Sequence, residues 1–277
     1  MSPSTPATTE LLSVARAVAL EAAALVLEAR RGTVEVADRK SSSVDVVTQV
    51  DRDAEQLIRD RLAAARPGDG FLGEESGGGG GSTGLTWVVD PIDGTVNFLY
   101  GIPHYAVSIA VVEGEADPHR WQALAGVVVN PATGELFSAT RGGGAQLGDR
   151  ALRVPPPPPL DEALIATGFA YRAEIRAEQG AAIARLLPHV RDIRRMGTAS
   201  LDLCAVAAGR VDAYVERTLN PWDHAAGALI AEEAGASVTG LGGGRPDHRF
   251  LLAAHPGLVP TLEAALAEAG AIPHAAP

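Results

Sequence analysis

The sequence predicts a layered α/β protein built in two halves. Short apolar strand patterns alternate with longer helical patterns along the chain, which is typical of this class. Five consecutive prolines at residues 155–159 interrupt the alternation, and such a run holds the backbone extended. We therefore expect an N-terminal α+β half at residues 1–154 and a C-terminal α/β half at residues 155–277.

Two helices are predicted at the start of the chain. Thr9 is suited to cap the first helix, which ends before Gly32. Residues 52–66 place apolar side chains on one face of the second helix, and a Pro-Gly pair ends it. Residues 77–84 are mostly glycine and predict a flexible surface loop, because the chain lacks the Gly-Lys pair that a Walker phosphate loop requires.

Strand patterns dominate the rest of the first half. They lie at residues 86–89, 106–112, 123–129, 135–139 and 151–154. The second and third are separated by a charged turn and predict a hairpin, and the last two are expected to continue the same sheet. Beyond the prolines, strands are predicted at residues 164–167, 193, 211–215, 236–239 and 250–253, and helices at residues 173–187, 199–208, 222–234 and 258–269.

Charge and cysteine content narrow the classes of function. The chain of 277 residues carries 23 basic and 34 acidic residues, a formal net charge of −11. This charge disfavours a nucleic-acid partner, but not a phosphorylated substrate, because a bound divalent cation reverses the local field. Cys204 is the only cysteine. No run reaches the ~18 apolar residues of a membrane span, and no signal peptide is evident, so we expect a reduced, cytoplasmic protein without a membrane partner.

Four acidic segments stand at the edges of apolar elements: residues 48–51 (TQVD), 73–76 (GEES), 87–95 (WVVDPIDGT) and 220–224 (NPWDH). In the third, a strand delivers Asp90, a proline forces a turn and Asp93 follows, so both carboxylates and the Ile92 carbonyl can face one point. Such oxygen ligands suit Mg²⁺ or Mn²⁺. A predicted short helix then begins at Gly94 and Thr95, where N–H groups favour phosphate. Metal ligands beside a phosphate site predict phosphoryl-transfer chemistry.

Together these segments resemble the inositol monophosphatase family of metal-dependent phosphatases. Residues 87–100 (WVVDPIDGTVNFLY) look like the family's first signature, and residues 222–236 (WDHAAGALIAEEAGA) look like its second. Shorter family motifs stand in the family's order at residues 40–51 (KSSSVDVVTQVD), 73–76 (GEES) and 197–209 (GTASLDLCAVAAG). The resemblance covers roughly residues 40–240 and implies a five-layer αβαβα sandwich of the sugar-phosphatase type.

The resemblance also implies particular roles. The implied metal ligands, for two or three Mg²⁺ ions with Mn²⁺ as an alternative, are Glu74, Asp90, the Ile92 carbonyl, Asp93 and Asp223. Glu74 and Thr95 would orient the attacking water, with Asp51 supporting Thr95. The implied substrate contacts are Asp93, Gly94, Thr95, Gly197, Thr198, Ala199 and Glu216. Lys40 would lie in a mobile lid that carries a weaker third metal site.

The predicted function is hydrolysis of inositol monophosphate, or of a similar small sugar or polyol phosphate, by direct attack of water. The first half would carry the metal and phosphate site, and the second would complete the substrate pocket. By resemblance we also expect a homodimer and inhibition by Li⁺.

Three alternatives stay open or are disfavoured. Histidinol phosphate and fructose 1,6-bisphosphate are alternative substrates, because specificity lies in the pocket and not in the fold. A haloacid-dehalogenase-type phosphatase is disfavoured, because its two aspartates are two positions apart whereas Asp90 and Asp93 are three apart. A regulatory interaction protein that keeps the fold without turnover is the alternative from another class. The presence of every implied metal ligand argues against it.

Overall fold

The structure is a computed structural model that describes residues 5–32, 36–39 and 46–272. Its described helices and strands, numbered in chain order, are α1 (Thr5–Arg30), β1 (Val36–Arg39), β2 (Val46–Thr48), α2 (Gln49–Ala65), β3 (Gly70–Gly73), β4 (Gly77–Gly79), β5 (Leu85–Asp93), α3 (Thr95–Tyr100), β6 (Ala106–Gly114), β7 (Trp121–Val129), β8 (Leu136–Thr140), β9 (Gly144–Leu147), β10 (Arg150–Ala151), β11 (Leu164–Thr167), α4 (Ala173–Leu186), β12 (Asp192–Arg194), α5 (Ala199–Ala207), β13 (Ala213–Glu216), α6 (Pro221–Glu233), β14 (Ser237–Thr239), β15 (Leu251–Ala254) and α7 (Val259–Glu268). None of these helices is long and apolar enough to cross a membrane.

The larger sheet has eight strands in the order β10-β9-β8-β7-β6-β5-β3-β4. Neighbouring strands are antiparallel except that β3 runs parallel to β5. The central strands β5, β6 and β7 are almost entirely buried. Both faces of the sheet are covered, with α1 packing against β6 and β7 on one face and α6 on the other, which explains the continuous apolar runs of these strands.

The smaller sheet has five strands in the order β12-β11-β13-β15-β14. Its residues alternate between two apolar clusters, as the two-residue period of a strand requires. Tyr214 and Ala253 face the cluster shared with α5 and α6. Val215 and Leu252 face the cluster that Leu186 of α4 and other residues of α4 and α7 complete.

The layers are therefore α1 and α2, the eight-stranded sheet, α5 and α6, the five-stranded sheet, and α4 and α7. The predicted five-layer αβαβα architecture is confirmed. The proline run at residues 155–159 lies between the last strand of one sheet and the first strand of the other. The middle helices nevertheless bury one core between both sheets, so a division into two separate domains stays a prediction.

Most predicted elements are present within a few residues, and the exceptions have physical causes. Helix α1 begins at Thr5, before the predicted cap at Thr9. The proline at the second position of the helix is tolerated there, because N–H groups in the first turn have no helical acceptor and proline loses no bond by lacking one. The prediction of a strand at residues 151–154 was wrong beyond Ala151. The Val154 N–H donates to the Ala234 carbonyl at 2.9 Å, so this segment packs on the end of α6 instead of continuing the sheet.

Five described short strands, β1, β2, β3, β4 and β9, were not predicted. Of these, β4 and β9 bury too little apolar surface to leave a pattern. Strand β9 (GAQL) buries only Ala145 completely. Strand β4 consists of three exposed glycines paired with β3, within the segment that the sequence predicts as a loop. Backbone pairing to an existing edge forms both strands, and side-chain periodicity cannot reveal such pairing.

Candidate active site

One cavity of about 120 Å³ brings together most of the residues that the sequence predicts for the site. It lies where β5 meets α3, beside the starts of α5 and α6 and the end of β13. The predicted residues that line it are Glu74, Asp90, Ile92, Asp93, Gly94, Thr95, Gly197, Thr198, Ala199, Glu216 and Asp223. Asp51 is buried and contacts Thr95. Lys40, the predicted lid residue, lies outside the described residues.

A bulge in β5 aims two carboxylates at this cavity. Asp90 and Asp93 are three positions apart, so in a regular strand their side chains would point to opposite faces of the sheet. The pairing of β5 with β6 shifts register between these two residues. An irregularity of this kind re-aims a side chain, and both carboxylates line the cavity.

Main-chain donors fix Asp90 and Asp223. The Ile92 N–H donates to Asp90 Oδ1 at 3.0 Å. The Asn220 N–H donates to Asp223 Oδ2 at 2.6 Å, within the capping box that begins α6. Burial raises the pKa of both aspartates well above the usual range, and the nearby charge of Glu74 raises it further.

Ser200, at the start of α5, holds Asp93. Its N–H and its hydroxyl both donate to Asp93 Oδ2, at 2.7 and 2.6 Å. Burial raises the pKa of Asp93 to about 6, while these two hydrogen bonds oppose the shift because they stabilise the ionised form. Ser200 therefore sets both the orientation and the charge of this carboxylate.

The residues that line the cavity are rich in hard oxygen donors. Arg195 is the only basic residue among the described residues that line it. The carboxylates that line the cavity are those of Glu74, Asp90, Asp93, Glu216 and Asp223. Buried carboxylates repel one another, and a divalent cation relieves that repulsion. Carboxylate and carbonyl oxygens are the ligands of Mg²⁺ and Mn²⁺, so the chemistry of this donor set fits such an ion.

The carboxylates do not yet form a closed ligand set. In the described part of the chain, no group of three acidic, histidine or cysteine side chains is already spaced to hold one ion. The nearby charge of Glu74 instead adds to the raised pKa of Asp90, because two carboxylates close together repel each other. A bound cation would relieve that repulsion.

Thr95 links the start of α3 to the buried carboxylate of Asp51. Its Oγ1 lies 3.1 Å from Asp51 Oδ1 and 3.0 Å from the Ile92 carbonyl oxygen, so its single proton is donated to one acceptor at a time. The N–H and hydroxyl of Thr48 hold Asp51 Oδ2 at 2.8 and 2.5 Å. Burial raises the pKa of Asp51 to about 6, against the effect of these hydrogen bonds.

The wall opposite the carboxylates depends on a glycine. Gly94 has φ = 92°, in the left-handed region that favours glycine. A Cβ atom there would collide with Thr198 Oγ1 and lie 3.2 Å from the Gly197 carbonyl oxygen. Glycine therefore allows the start of α3 to lie directly against residues 197–198, as a predicted phosphate site requires.

Glu216 occupies the far side of the cavity. The Tyr214 hydroxyl donates to Glu216 Oε2 at 2.5 Å, and burial raises the pKa of Glu216 to about 7. A Cβ atom on Gly168 would overlap the Glu216 carboxylate. The absence of a side chain at residue 168 therefore makes room for this acid.

Comparison with known proteins identifies the family. The profile of the Inositol monophosphatase family matches residues 7–273. The chain belongs to this family. The predicted resemblance is confirmed, as is the predicted enzyme class of an inositol-phosphate phosphatase.

Individual members of the inositol monophosphatase family match nearly the whole chain. The inositol-1-monophosphatase SuhB of Mycobacterium tuberculosis H37Rv is 48% identical over 278 residues, covering 92% of this chain and 93% of that protein. The Nus factor SuhB of Vibrio cholerae is 39% identical over 236 residues, covering 84% and 86%. The crystal structure of the extragenic suppressor protein suhB from Bartonella henselae has a TM-score of 0.85 at 39% identity, covering 92% and 98%.

In this family member the structure adds site residues that sequence reasoning missed. Ser200 lies within the family motif at residues 197–209, but only the fold brings it to Asp93. Asn97 ties α3 to the opposite wall, since its Nδ2 donates to the carbonyls of His104 and Met196 at 2.7 and 2.8 Å. No local pattern marks the bonds of Ser200 to Asp93 and of Asn97 to Met196, because each joins parts of the chain about 100 residues apart.

Ser200→Ala is expected to shift the pH dependence of activity. Loss of the hydroxyl removes a hydrogen bond that stabilises ionised Asp93, so the pKa of Asp93 rises above about 6. Activity that needs the ionised carboxylate will then begin to fall at a higher pH on acidification. The acid limb of the pH profile is expected to move up by about 0.5–1 pH unit. The pH profile of kcat/KM tests this.

Ser138→Ala is the matched control, because Ser138 is equally buried and its hydroxyl has no hydrogen-bond partner among the described residues. An acid limb at the same pH in wild type and Ser200→Ala would contradict the assignment.

Proposed function

We propose that this chain hydrolyses inositol monophosphate, or a similarly small polyol phosphate, to the polyol and inorganic phosphate. The observation that supports it best is the convergence of five carboxylates and the Gly94–Thr95 helix start on one cavity. Mg²⁺, or Mn²⁺ in its place, is the proposed cofactor, held by Glu74, Asp90, the Ile92 carbonyl, Asp93 and Asp223. The chemistry that such ions supply when bound is a lowered pKa of water and stabilisation of a leaving alkoxide.

Glu74 and Thr95 are proposed to orient the attacking water. When the Thr95 hydroxyl donates its hydrogen bond to Asp51, its lone pairs can accept a hydrogen bond from the water. The second proton of the water then points to Glu74, which serves as its acceptor. The oxygen of the water forms a new P–O bond as Glu74 takes its proton, the ester P–O bond breaks, and the leaving alkoxide takes up a proton from solvent to become the free hydroxyl of the polyol. Water attacks phosphorus directly, so no covalent phospho-enzyme forms.

The remaining residues are proposed to hold the substrate. The N–H groups of Gly94 and Thr95, at the start of α3, have no acceptor within the helix. The phosphate of the substrate is proposed to accept their hydrogen bonds. Asp93, Glu216 and the backbone of residues 197–199 line the same cavity, at positions suited to hydroxyl groups of a polyol. Carboxylates and carbonyls accept hydrogen bonds from hydroxyls, which favours a polyol over an apolar leaving group.

A substrate panel tests the proposal. Phosphate release is measured from inositol 1-phosphate, histidinol phosphate and fructose 1,6-bisphosphate, each with Mg²⁺, with EDTA and with Mg²⁺ plus Li⁺. We expect turnover of inositol 1-phosphate in Mg²⁺, a loss of at least about 10³-fold in EDTA, and inhibition by Li⁺. Equal turnover in EDTA, or no turnover of any member of the panel, would contradict the proposal. A homodimer is part of the proposal and is tested by sedimentation velocity.

A second candidate substrate class is favoured by Arg195. Its guanidinium faces the same cavity and lowers the pKa of Glu216 by its charge. A substrate with a second phosphate, such as fructose 1,6-bisphosphate, would gain a charge-assisted contact there. Arg195→Gln is expected to lower kcat/KM for the bisphosphate at least about tenfold more than for inositol 1-phosphate.

Arg194→Gln is the control for this change, because Arg194 is exposed and pairs with Asp192. Equal losses for both substrates in Arg195→Gln would exclude a bisphosphate-specific role. The name of the Vibrio cholerae relative suggests a regulatory role without turnover. The same panel distinguishes that role from the proposed activity, because a protein without turnover releases no phosphate from any substrate.

A further inference from the structure

Helix α2 carries two buried acidic residues four positions apart, Asp51 and Glu55. Residues at this spacing lie on the same face of a helix. Asp51 contacts Thr95 at the cavity that the five carboxylates line (the carboxylate cavity). Glu55 does not line this cavity, but it contacts the turn at residues 74–76 that carries Glu74. One helix face therefore contacts both groups that are proposed to orient the attacking water.

Glu55 accepts hydrogen bonds from both residues that follow Glu74. The Glu75 N–H donates to Glu55 Oε2 at 2.8 Å, and the Ser76 hydroxyl donates to Glu55 Oε1. A carboxylate can serve both donors at once because each of its oxygens is an acceptor. Glu55 is only 3% exposed, so water competes little for these two bonds.

The turn is held from its other side by β5. The Glu74 N–H donates to the carbonyl of Val89 at 3.2 Å, and Val89 directly precedes Asp90. Two consecutive N–H groups of the turn thus bind to different elements, that of Glu74 to β5 and that of Glu75 to α2. The backbone at Glu74 is therefore fixed between the strand that carries Asp90 and the helix that carries Asp51.

The neighbouring side chains support the contact between Glu55 and the turn. A Cβ atom on Gly73 would collide with the Glu55 carboxylate and with the ring of Phe71, so glycine there lets Glu55 reach the turn. Arg59 Nη2 donates to the Ser76 hydroxyl, and the Arg59 guanidinium lies 4.1 Å from the centroid of the Phe71 ring. Because the hydroxyl accepts from Arg59, its own proton is free to be donated to Glu55.

We propose that Glu55 is a positioning residue for the hydrolysis, acting through Glu74. It holds the turn at residues 74–76 so that Glu74 and Thr95 meet the same water, and the rigid spacing of Glu55 and Asp51 on α2 sets the distance between them. Glu55 itself touches neither the substrate nor the attacking water. This role rests on the proposed function, in which Glu74 accepts the proton of the water.

Glu55→Gln tests the role directly. The amide keeps the size of the side chain, but it has one acceptor oxygen and cannot accept both hydrogen bonds. We expect kcat for inositol 1-phosphate in Mg²⁺ to fall at least about tenfold, since small displacements of a reacting group are costly. KM should stay within about threefold, because Glu74 is not among the proposed substrate contacts. A rise in KM equal to the fall in kcat would overturn the role, since it would indicate general damage to the pocket.

A double-mutant cycle with Glu74→Gln tests whether the effect passes through Glu74. In the Glu74→Gln background, Glu55→Gln should lower kcat by less than about twofold, because there is no longer a carboxylate to position. The same tenfold loss in both backgrounds would overturn the proposal.

Mn²⁺ binding gives a readout that needs no turnover. Titration without substrate, followed by the electron paramagnetic resonance of free Mn²⁺, should show a Kd raised at least about threefold in Glu55→Gln, and no further rise when the change is added to Glu74→Gln. If wild type released no phosphate from any member of the substrate panel, the proposed function would fail, whereas this cycle would still decide the role of Glu55. Wild-type turnover and wild-type Mn²⁺ affinity in a folded Glu55→Gln protein would overturn the role of Glu55 alone.

Two further variants complete the experiment. Asp60→Asn changes an exposed acid of the same helix that pairs with Gln56 and does not line the carboxylate cavity, so its kcat should stay within about twofold of wild type. Ser76→Ala removes one of the two donors to Glu55 at an exposed position, and its kcat should fall at least about threefold. If Glu55→Gln did not fold, a wild-type kcat in Ser76→Ala would overturn the proposal.

Discussion

Asp93→Asn is expected to reduce turnover by about 10³-fold or more while the protein stays folded. Asp93 lines the carboxylate cavity, is held there by two hydrogen bonds from Ser200, and is proposed to contact both the metal and the substrate. Loss of one charge that acts on the transition state inside a buried cluster costs about 4 kcal/mol, which corresponds to a factor of about 10³ in rate. The Asn side-chain oxygen can still accept the two hydrogen bonds from Ser200, so the local structure is retained. Steady-state phosphate release in Mg²⁺ measures the loss.

The same variant is expected to be at least as stable as wild type when EDTA removes divalent ions. Burial raises the pKa of Asp93 from 3.8 to about 6. The stabilising contribution of a carboxyl group whose pKa rises on folding is complete below its unfolded pKa, and it is lost as the pH rises through the folded value. The Tm difference in favour of Asp93→Asn should therefore grow between about pH 4 and pH 7.

Asp161→Asn, an exposed aspartate outside the cavity, provides the control and should change neither rate nor Tm. Near-normal turnover in a folded Asp93→Asn protein would refute the site assignment. A Tm far below that of wild type would show that Asp93 is structural.

Gly94→Ala is expected to damage both activity and stability. Its φ of 92° is unfavourable for alanine, which costs about 1 kcal/mol. The new methyl group would also collide with Thr198 Oγ1 and approach the Gly197 carbonyl, which adds about 1–3 kcal/mol unless the two walls move apart. Any such movement displaces the proposed phosphate site, so we expect a loss of about 10²-fold in kcat.

Gly134→Ala separates conformational strain from collision. Gly134 also has a positive φ, of 74°, but a Cβ atom there would have no neighbour within 4 Å. This variant should lose about 1 kcal/mol of unfolding free energy and keep its activity. If Gly94→Ala retained full activity, the close approach of α3 to residues 197–198 would have no role in catalysis.

Much of the fold was predictable because its elements are long and strongly patterned. The hairpin of β6 and β7 and the helices α5, α6 and α7 bury continuous apolar faces, and their sequences display that burial directly. Strands β4 and β9 were not predictable, because backbone pairing with a neighbouring strand forms them without an apolar face of their own. Leu152 and Val154 are apolar, but the chain leaves the sheet after Leu152, since the Val154 N–H donates to the Ala234 carbonyl at the end of α6.

The candidate site divides in the same way. The sequence could identify the carboxylates, the carbonyl and the helix start, because they stand in contiguous motifs with oxygen donors at fixed spacing. It could not identify what holds them. Ser200 contacts Asp93 from 107 positions away in the chain. Gly168, which makes room for Glu216, follows β11, whereas Glu216 ends β13.

The amino-acid sequence by itself determined the layered α/β class, the hard oxygen chemistry of the site and its family motifs, because local patterns carry that information. Tertiary structure alone decided that a bulge turns Asp90 and Asp93 to one side, and that Arg195 lines the carboxylate cavity whereas Arg194 does not. The physical reason is that burial, pKa and hydrogen-bond partners depend on neighbours in space, which the chain acquires only when its layers pack together.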